Sequence, residues 1–245
     1  MSIAENIARV HERIALVARR AGRNPDEITL MAVSKTFPAQ SIREARAAGL
    51  RVFGENRVQE FAAKALALHA AEFWTRGVPD GARVHLIGHL QSNKAAKAAE
   101  IFDGVDSLDS VRLAERLNEA AAKCGKRLPV LIEVKLSAEE TKSGVEPESD
   151  EAARLLEALP DFGQLECRGL MTIGPWGAAE EVTRVCFRSL RVLRDAWAGK
   201  YPSLNFDVLS MGMSGDFRLA IEEGATRIRV GTALFGKRSA RPVND

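Results

Sequence analysis

The sequence predicts an α/β fold, a (β/α)8 TIM barrel preceded by one extra helix, and three observations carry that expectation. Eight short apolar runs alternate with helix-patterned segments, with no low-complexity linker between them. The length of 245 residues suits a single barrel, so residues 1–245 are expected to form one domain. In the fifth run, Val130, Ile132 and Val134 share a face suited to packing under helices. That leaves Glu133 and Lys135 on the opposite face, which fits a barrel interior that opens onto a site. A doubly wound open sheet is the alternative.

The first twenty residues carry charges throughout and lack the apolar core of a signal peptide, while Ile3, Ile7, Val10, Ile14 and Val17 mark one helix face. They read as a mature amphipathic helix. The first strand, residues 30–35, ends in LMAVSKTFP, where Pro38 cannot continue a ladder. Lys35 thus stands at the C-terminal end of a strand, where parallel α/β folds build their sites. Taken alone, the stretch reads first as a surface lysine closing a strand.

A helix over 39–48 stops at Gly49, strand 51–54 runs into GENRVQE, and a helix spans 58–71. Strand 83–87 leads into GHLQSNK and a helix through Ala99, and strand 104–108 into a helix over 111–123. Strand 129–136 precedes helix 150–159, and strand 165–173 precedes helix 180–198. Strands 206–210 and 226–230 complete the set, separated by a short helix over 216–223.

Composition excludes several classes. No stretch approaches the length of a membrane span, and 46% apolar with 28% charged residues is ordinary for a soluble globular chain. Three cysteines, Cys124, Cys167 and Cys186, argue for reduced thiols in a cytoplasmic protein rather than a disulfide framework or a zinc site. A net charge of +2 from 35 basic and 33 acidic residues, with no basic run interleaved with aromatics, argues against nucleic acid.

The seventh and eighth strands run into SMGMSGD (210–216) and GTALFG (231–236). Loops at these two positions of a barrel commonly cradle phosphate, because glycine lets backbone N–H groups approach an anion closely. Ser214, read as lying near the N-cap of the short helix, and Thr232 add hydroxyls. Each loop alone also reads as an ordinary turn. Arg229 shares a strand face with Gly231 and is expected to point into the pocket, a structural ion pair being the plainer alternative. A phosphate, a lysine able to trap an electrophile and an inward arginine together suggest pyridoxal 5′-phosphate, with Lys35 forming a Schiff base to its aldehyde. His85 and His89 straddle Gly88 and do not align as metal ligands, so no metal is expected. Cys167 reads as a buried thiol that could face the barrel interior, and Trp176 as core or pocket wall.

The segments VSKTFP, FGENRVQE, HLIGHLQSNK, IEVKLSAEETKSGV, RGLMTI, LSMGMSGDF and IRVGTALFG occur in order across nearly the whole chain. In these the sequence resembles the pyridoxal phosphate homeostasis protein family, which in turn resembles the N-terminal barrel of alanine racemase. The resemblance implies Lys35 as the cofactor lysine, Asn56 near the ring, Met171 lining the pocket and Arg229 facing the pyridine nitrogen. It places Ser210, Gly212, Met213, Ser214, Gly231 and Thr232 around the phosphate. A fixed cation at that nitrogen disfavours its protonation and weakens the ring as an electron sink. Lys135 departs from the family, where asparagine is more usual, and it and Lys142 are read as transient acceptors or solvated charges.

The expected function is therefore a cytoplasmic, monomeric protein that holds, buffers or delivers pyridoxal phosphate, with apo-forms of pyridoxal-phosphate enzymes as candidate recipients. It is not expected to be an enzyme. An amino-acid racemase is the rival, and a sugar-phosphate isomerase using Lys35 as base is a third reading. Racemisation needs acid–base groups on both ring faces. The single tyrosine, Tyr201, precedes the seventh strand and is expected at the opposite end of the barrel.

Overall fold

A computed structural model describes residues 1–69, 81–137, 139 and 143–236. Eight parallel strands close into a barrel in sequence order, which excludes the open-sheet alternative. They are β1 (Thr29–Val33), β2 (Val52–Glu55), β3 (Arg83–Leu86), β4 (Gly104–Leu108), β5 (Leu128–Glu133), β6 (Leu165–Met171), β7 (Val208–Ser210) and β8 (Arg227–Val230). The helices are α1 (Ile3–Arg20), α2 (Ala39–Ala47), α3 (Val58–His69), α4 (Ala95–Ile101), α5 (Val111–Lys123), α6 (Asp150–Ala158), α7 (Glu180–Lys200), α8 (Phe217–Glu222) and α9 (Thr232–Phe235). Among the described residues no helix is long and apolar enough to cross a membrane.

α1 begins in a reciprocal cap: the Ser2 hydroxyl accepts from the Glu5 amide and the Glu5 carboxylate accepts from the Ser2 amide. Its stripe of Ile7, Val10, Ile14 and Ala18 is buried, seating the extra helix against α2, α8 and α9. The strands are shorter than their apolar runs suggest. β1 stops at Val33 because residues 34–37 form a turn, closed by the Phe37 amide donating to the Ser34 carbonyl, so Lys35 lies just past the strand. β5 stops at Glu133, with Val134 making one isolated bridge to Val145, so Lys135 lies beyond the barrel wall. α9 was not anticipated, since four residues carry too little periodicity to register. The expected last two residues of α3 lie outside the described residues.

Alternation along the strands separates two layers. Outward residues such as Leu30, Ala32, Val130, Ile132, Ile228 and Val230 join the helices in the main core. Cys167 belongs there too, not to the barrel interior. Met31, Val33 and Ile87 form a separate small cluster inside the barrel. The rest of the interior is strongly polar: His85, Asp106, Glu133 and Arg229 are all at least nine-tenths buried. His85 Nδ1 lies 2.7 Å from one Asp106 oxygen, and Arg227 donates to the other at 2.9 Å.

These charges have opposite effects on stability. Burial alone would raise the Asp106 carboxyl, but His85 and Arg227 outweigh it and hold it down at about 2. A depressed carboxylate stabilises the fold above its unfolded value and loses that contribution as pH falls toward 2. Burial pushes Glu133 up to about 7, reinforced by Asp109 and opposed by Arg229. A raised carboxyl does the reverse: stability declines as pH rises from 4.5 through 7, because the native state holds a proton that the unfolded chain has released.

In urea unfolding, Asp106→Asn should cost about 3–5 kcal/mol at pH 7, as expected when a buried ion pair loses one partner. That gap should shrink by about 2 kcal/mol as pH falls from 4.5 to 2. Glu133→Gln should gain on the parent by about 2–3 kcal/mol between pH 5 and pH 8, measured the same way. A pH-independent gap for either variant would show that the carboxyl titrates as it does in water.

Candidate functional site

A cleft of about 540 Å³ opens at the C-terminal end of the barrel, framed by the segments that follow β1, β2, β6, β7 and β8. Its wall includes Lys35, Asn56, Met213, Ser214, Arg229, Gly231 and Thr232, seven of the ten residues expected from the sequence. Met171 and Ser210 are fully buried behind that wall, and Gly212 also stands back from it.

Lys35 reaches the cleft because β1 pairs with β8, setting Met31 opposite Arg229 and Ala32 opposite Val230. Gly231 then passes close to β1: a Cβ added there would lie 3.2 Å from the Val33 carbonyl oxygen. Asn56 follows β2 and is pressed by Gly88, where a Cβ would stand 2.3 Å from the Asn56 carbonyl oxygen. The glycine of HLIGHLQ is therefore a close-approach residue that fixes the Asn56 backbone.

Arg229 is 4% exposed and held rigidly: Nη1 donates to Ser210 Oγ at 2.9 Å and Nη2 to the Thr172 carbonyl at 2.8 Å. Burial pulls its pKa below the usual guanidinium value, against Asp106, Glu133 and Asp216, which raise it. A guanidinium remains charged through such a shift. The arginine is thus a cation fixed between the polar interior and the cleft floor, and Ser210 acts as its anchor.

In the loop after β7, the Asp216 carboxylate accepts from the Met213 amide at 2.5 Å, and the Phe217 amide donates to the Met213 carbonyl. Asp216, not Ser214, is the N-cap residue of α8, and Ser214 sits two residues earlier on the open side of the loop. The Met213 amide is therefore committed to Asp216, and Met213 meets the cleft as wall. Burial raises the Asp216 carboxyl, partly offset by its bond to Met213 and by Arg229. Gly212 has φ +89, and a Cβ there would lie 2.5 Å from that of Ala220. In the loop after β8, Thr232 starts α9, so the first amides of that turn have no intrahelical acceptor.

Several lining residues had not been singled out. Phe37 borders the cleft beside Phe235 with ring centroids 5.0 Å apart, and Asp216 completes the β7 loop. Asp216 holds the N-cap position in SGDF, but its carboxylate turns back to the Met213 amide and makes no cap bond to α8. Trp176 lines the lip and is 87% exposed, so it is wall and not core. Its amide donates to Glu139 at 3.2 Å. Lys135 Nζ lies 3.7 Å from Glu146 and is not on the cleft wall, so it is no second amine there. Lys142 lies outside the described residues. His89 is exposed beside Asp109, and among the described residues no cluster of His, Cys, Asp and Glu is arranged to hold a metal.

The family profile described as alanine racemase, N-terminal domain, matches residues 6–239. The pyridoxal phosphate homeostasis protein of Escherichia coli (strain K12) is 45% identical over 240 residues, covering 96% of this chain and 97% of that one. PipY of Synechococcus elongatus PCC7942, solved with PLP bound, superposes with a TM-score of 0.82 at 42% identity, covering 96% of this chain and 100% of that one. An alanine racemase from Clostridium difficile 630 shares the fold at 14% identity and a TM-score of 0.71, with 58% of its length covered. Full-length similarity to the first two, on a barrel shared with the third, means that this chain belongs to the pyridoxal phosphate homeostasis protein family.

Proposed function

We propose that this chain holds pyridoxal 5′-phosphate on Lys35 and buffers or delivers it, without being an enzyme with a committed substrate. The observation that carries the reading is the convergence on one cleft of a lysine, a rigidly held arginine and two glycine-bearing, hydroxyl-bearing loops. The names of the E. coli and S. elongatus relatives support it. Bound there, the cofactor supplies an aldehyde that condenses with a primary amine and releases one water.

The residues present fit that group. Lys35 offers the amine, and Ser214, Thr232 and the amides of their loops offer donors to the phosphate. Asn56 would border the ring and Arg229 would face its nitrogen, with Met171, Ser210 and Gly212 supporting the wall from behind. A cation fixed there would disfavour protonation of the ring nitrogen, so the site would bind the cofactor while restraining carbanion chemistry. Lys35 can move a proton on one face only. The sequence's single tyrosine, Tyr201, ends α7 ahead of β7, on the N-terminal side of the barrel. Apo-forms of pyridoxal-phosphate enzymes are the proposed recipients, and the three free cysteines suit a reducing cytoplasm.

Borohydride reduction of the loaded protein followed by peptide mapping should place the label on Lys35, and Lys35→Ala should lose it while keeping weaker, reversible binding. A label on Lys135 or Lys142 instead would overturn the assignment. Incubation with L-alanine in deuterium oxide should give at most slow Cα deuteration and no useful inversion. Rapid inversion would restore the racemase reading.

A further inference from the structure

The turn that carries Lys35 is held from both sides by α3. Lys64 Nζ donates to the Ser34 carbonyl at 2.9 Å, to Glu55 at 2.8 Å, and lies 2.8 Å from Glu60 Oε1. Those three acceptors match the three N–H groups of a lysine head. The Ser34 hydroxyl donates to the same Glu55 oxygen at 2.7 Å, and the Thr36 amide donates to Glu60 Oε1 at 2.5 Å. Ser34 and Glu55 are fully buried, and the side chains of Lys64 and Glu60 are 10% and 18% exposed.

Thr36 has φ +68, and among the described residues it is the single non-glycine with positive φ. It occupies the third position of the Ser34–Phe37 turn, where turns with positive φ normally take glycine. A β-branched residue avoids that conformation unless its surroundings enforce it. Here the enforcing contacts fall on the residues either side of Lys35: Ser34 through its carbonyl and hydroxyl, Thr36 through its amide. All of them trace to three side chains of the segment GENRVQEFAAK, Glu55, Glu60 and Lys64.

We infer that Lys64 and Glu60 are positioning residues for Lys35, clamping the turn so that the Lys35 side chain projects into the cleft in a geometry fit to meet an aldehyde. The inference rests on the carrier reading above. Lys64 itself is fully engaged in the clamp, which separates the two lysines into a holding role and a bonding role. A clamp of this kind acts on the bond to the aldehyde and not on the contacts to phosphate and ring. It is therefore separable from a general role in stability.

The experiment compares two ligands that differ only at one carbon: pyridoxal 5′-phosphate and pyridoxine 5′-phosphate, which carries an alcohol in place of the aldehyde. Affinities would be titrated for the parent protein, Glu60→Gln, Lys64→Met and Lys64→Arg, with borohydride labelling of Lys35 followed in time. Glu60→Gln leaves the Lys64–Glu55 pair intact, and so guards against the unfolding that a bare buried Glu55 invites in Lys64→Met. Glu60→Gln and Lys64→Met should bind the aldehyde at least tenfold more weakly and label at least tenfold more slowly. Their affinity for the alcohol should stay within twofold, and Lys64→Arg should recover part of the loss. Equal weakening for both ligands in Glu60→Gln, or no weakening for either, would overturn the clamp. Failure of the parent protein to label at Lys35 would overturn the carrier reading itself, and is distinguished by appearing before any substitution.

Discussion

Closure of the sheet between β1 and β8 is the constraint on which the site depends. Parallel pairing of these strands sets Met31 against Arg229 and brings Val33 against Gly231. Lys35, which follows β1, and Thr232, which follows β8, become neighbours on one cleft although they lie at opposite ends of the sequence. Without closure the lysine and the glycine-bearing loops would stand at the two open edges of a sheet. Gly231 contributes by being small: any side chain there would press on the β1 backbone.

The barrel interior explains how an arginine can sit beneath such a site. Arg229 and Arg227 are two residues apart on β8 and so share its inward face. Asp106, bonded to His85 through its other oxygen, answers Arg227 directly, while Ser210 and Thr172 hold Arg229 and Glu133, once ionised, adds a more distant negative charge. A buried Arg229 beside a largely covered Arg227 would be costly without these partners. The polar floor is thus a condition for a guanidinium fixed at the base of the cleft.

Legibility in the sequence followed the range of the forces involved. β4 and α5 have the bounds read from their patterns, because the period of apolar residues is a local signal, and the structure adds a Ser110 cap at the start of α5. β1, β5 and β6 were read too long, since apolar residues continue past the point where the ladder ends and loops begin. Lys135 was misplaced for that reason: alternation put it on the inward face of a strand that has already stopped. Asp216 escaped notice as the loop's organiser because its bond to the Met213 amide competes with an equally plausible serine cap two residues earlier.

What the sequence determined by itself was the alternation of elements, the barrel they form, and the chemical types gathered in its loops, because periodicity and turn residues act between near neighbours. It also carried the family motifs, and with them Lys35, Arg229 and the two loops. Tertiary structure alone decided which of these face the cleft and which stand behind it, since Ser210 and Met171 differ from Ser214 and Met213 in burial and not in type. It alone decided that Glu60 and Lys64 meet the residues flanking Lys35, across separations of 24 and 30 residues. Such contacts follow from side chains of α3 reaching the segments at the ends of β1 and β2, a placement set by the barrel and absent from any local window of the chain.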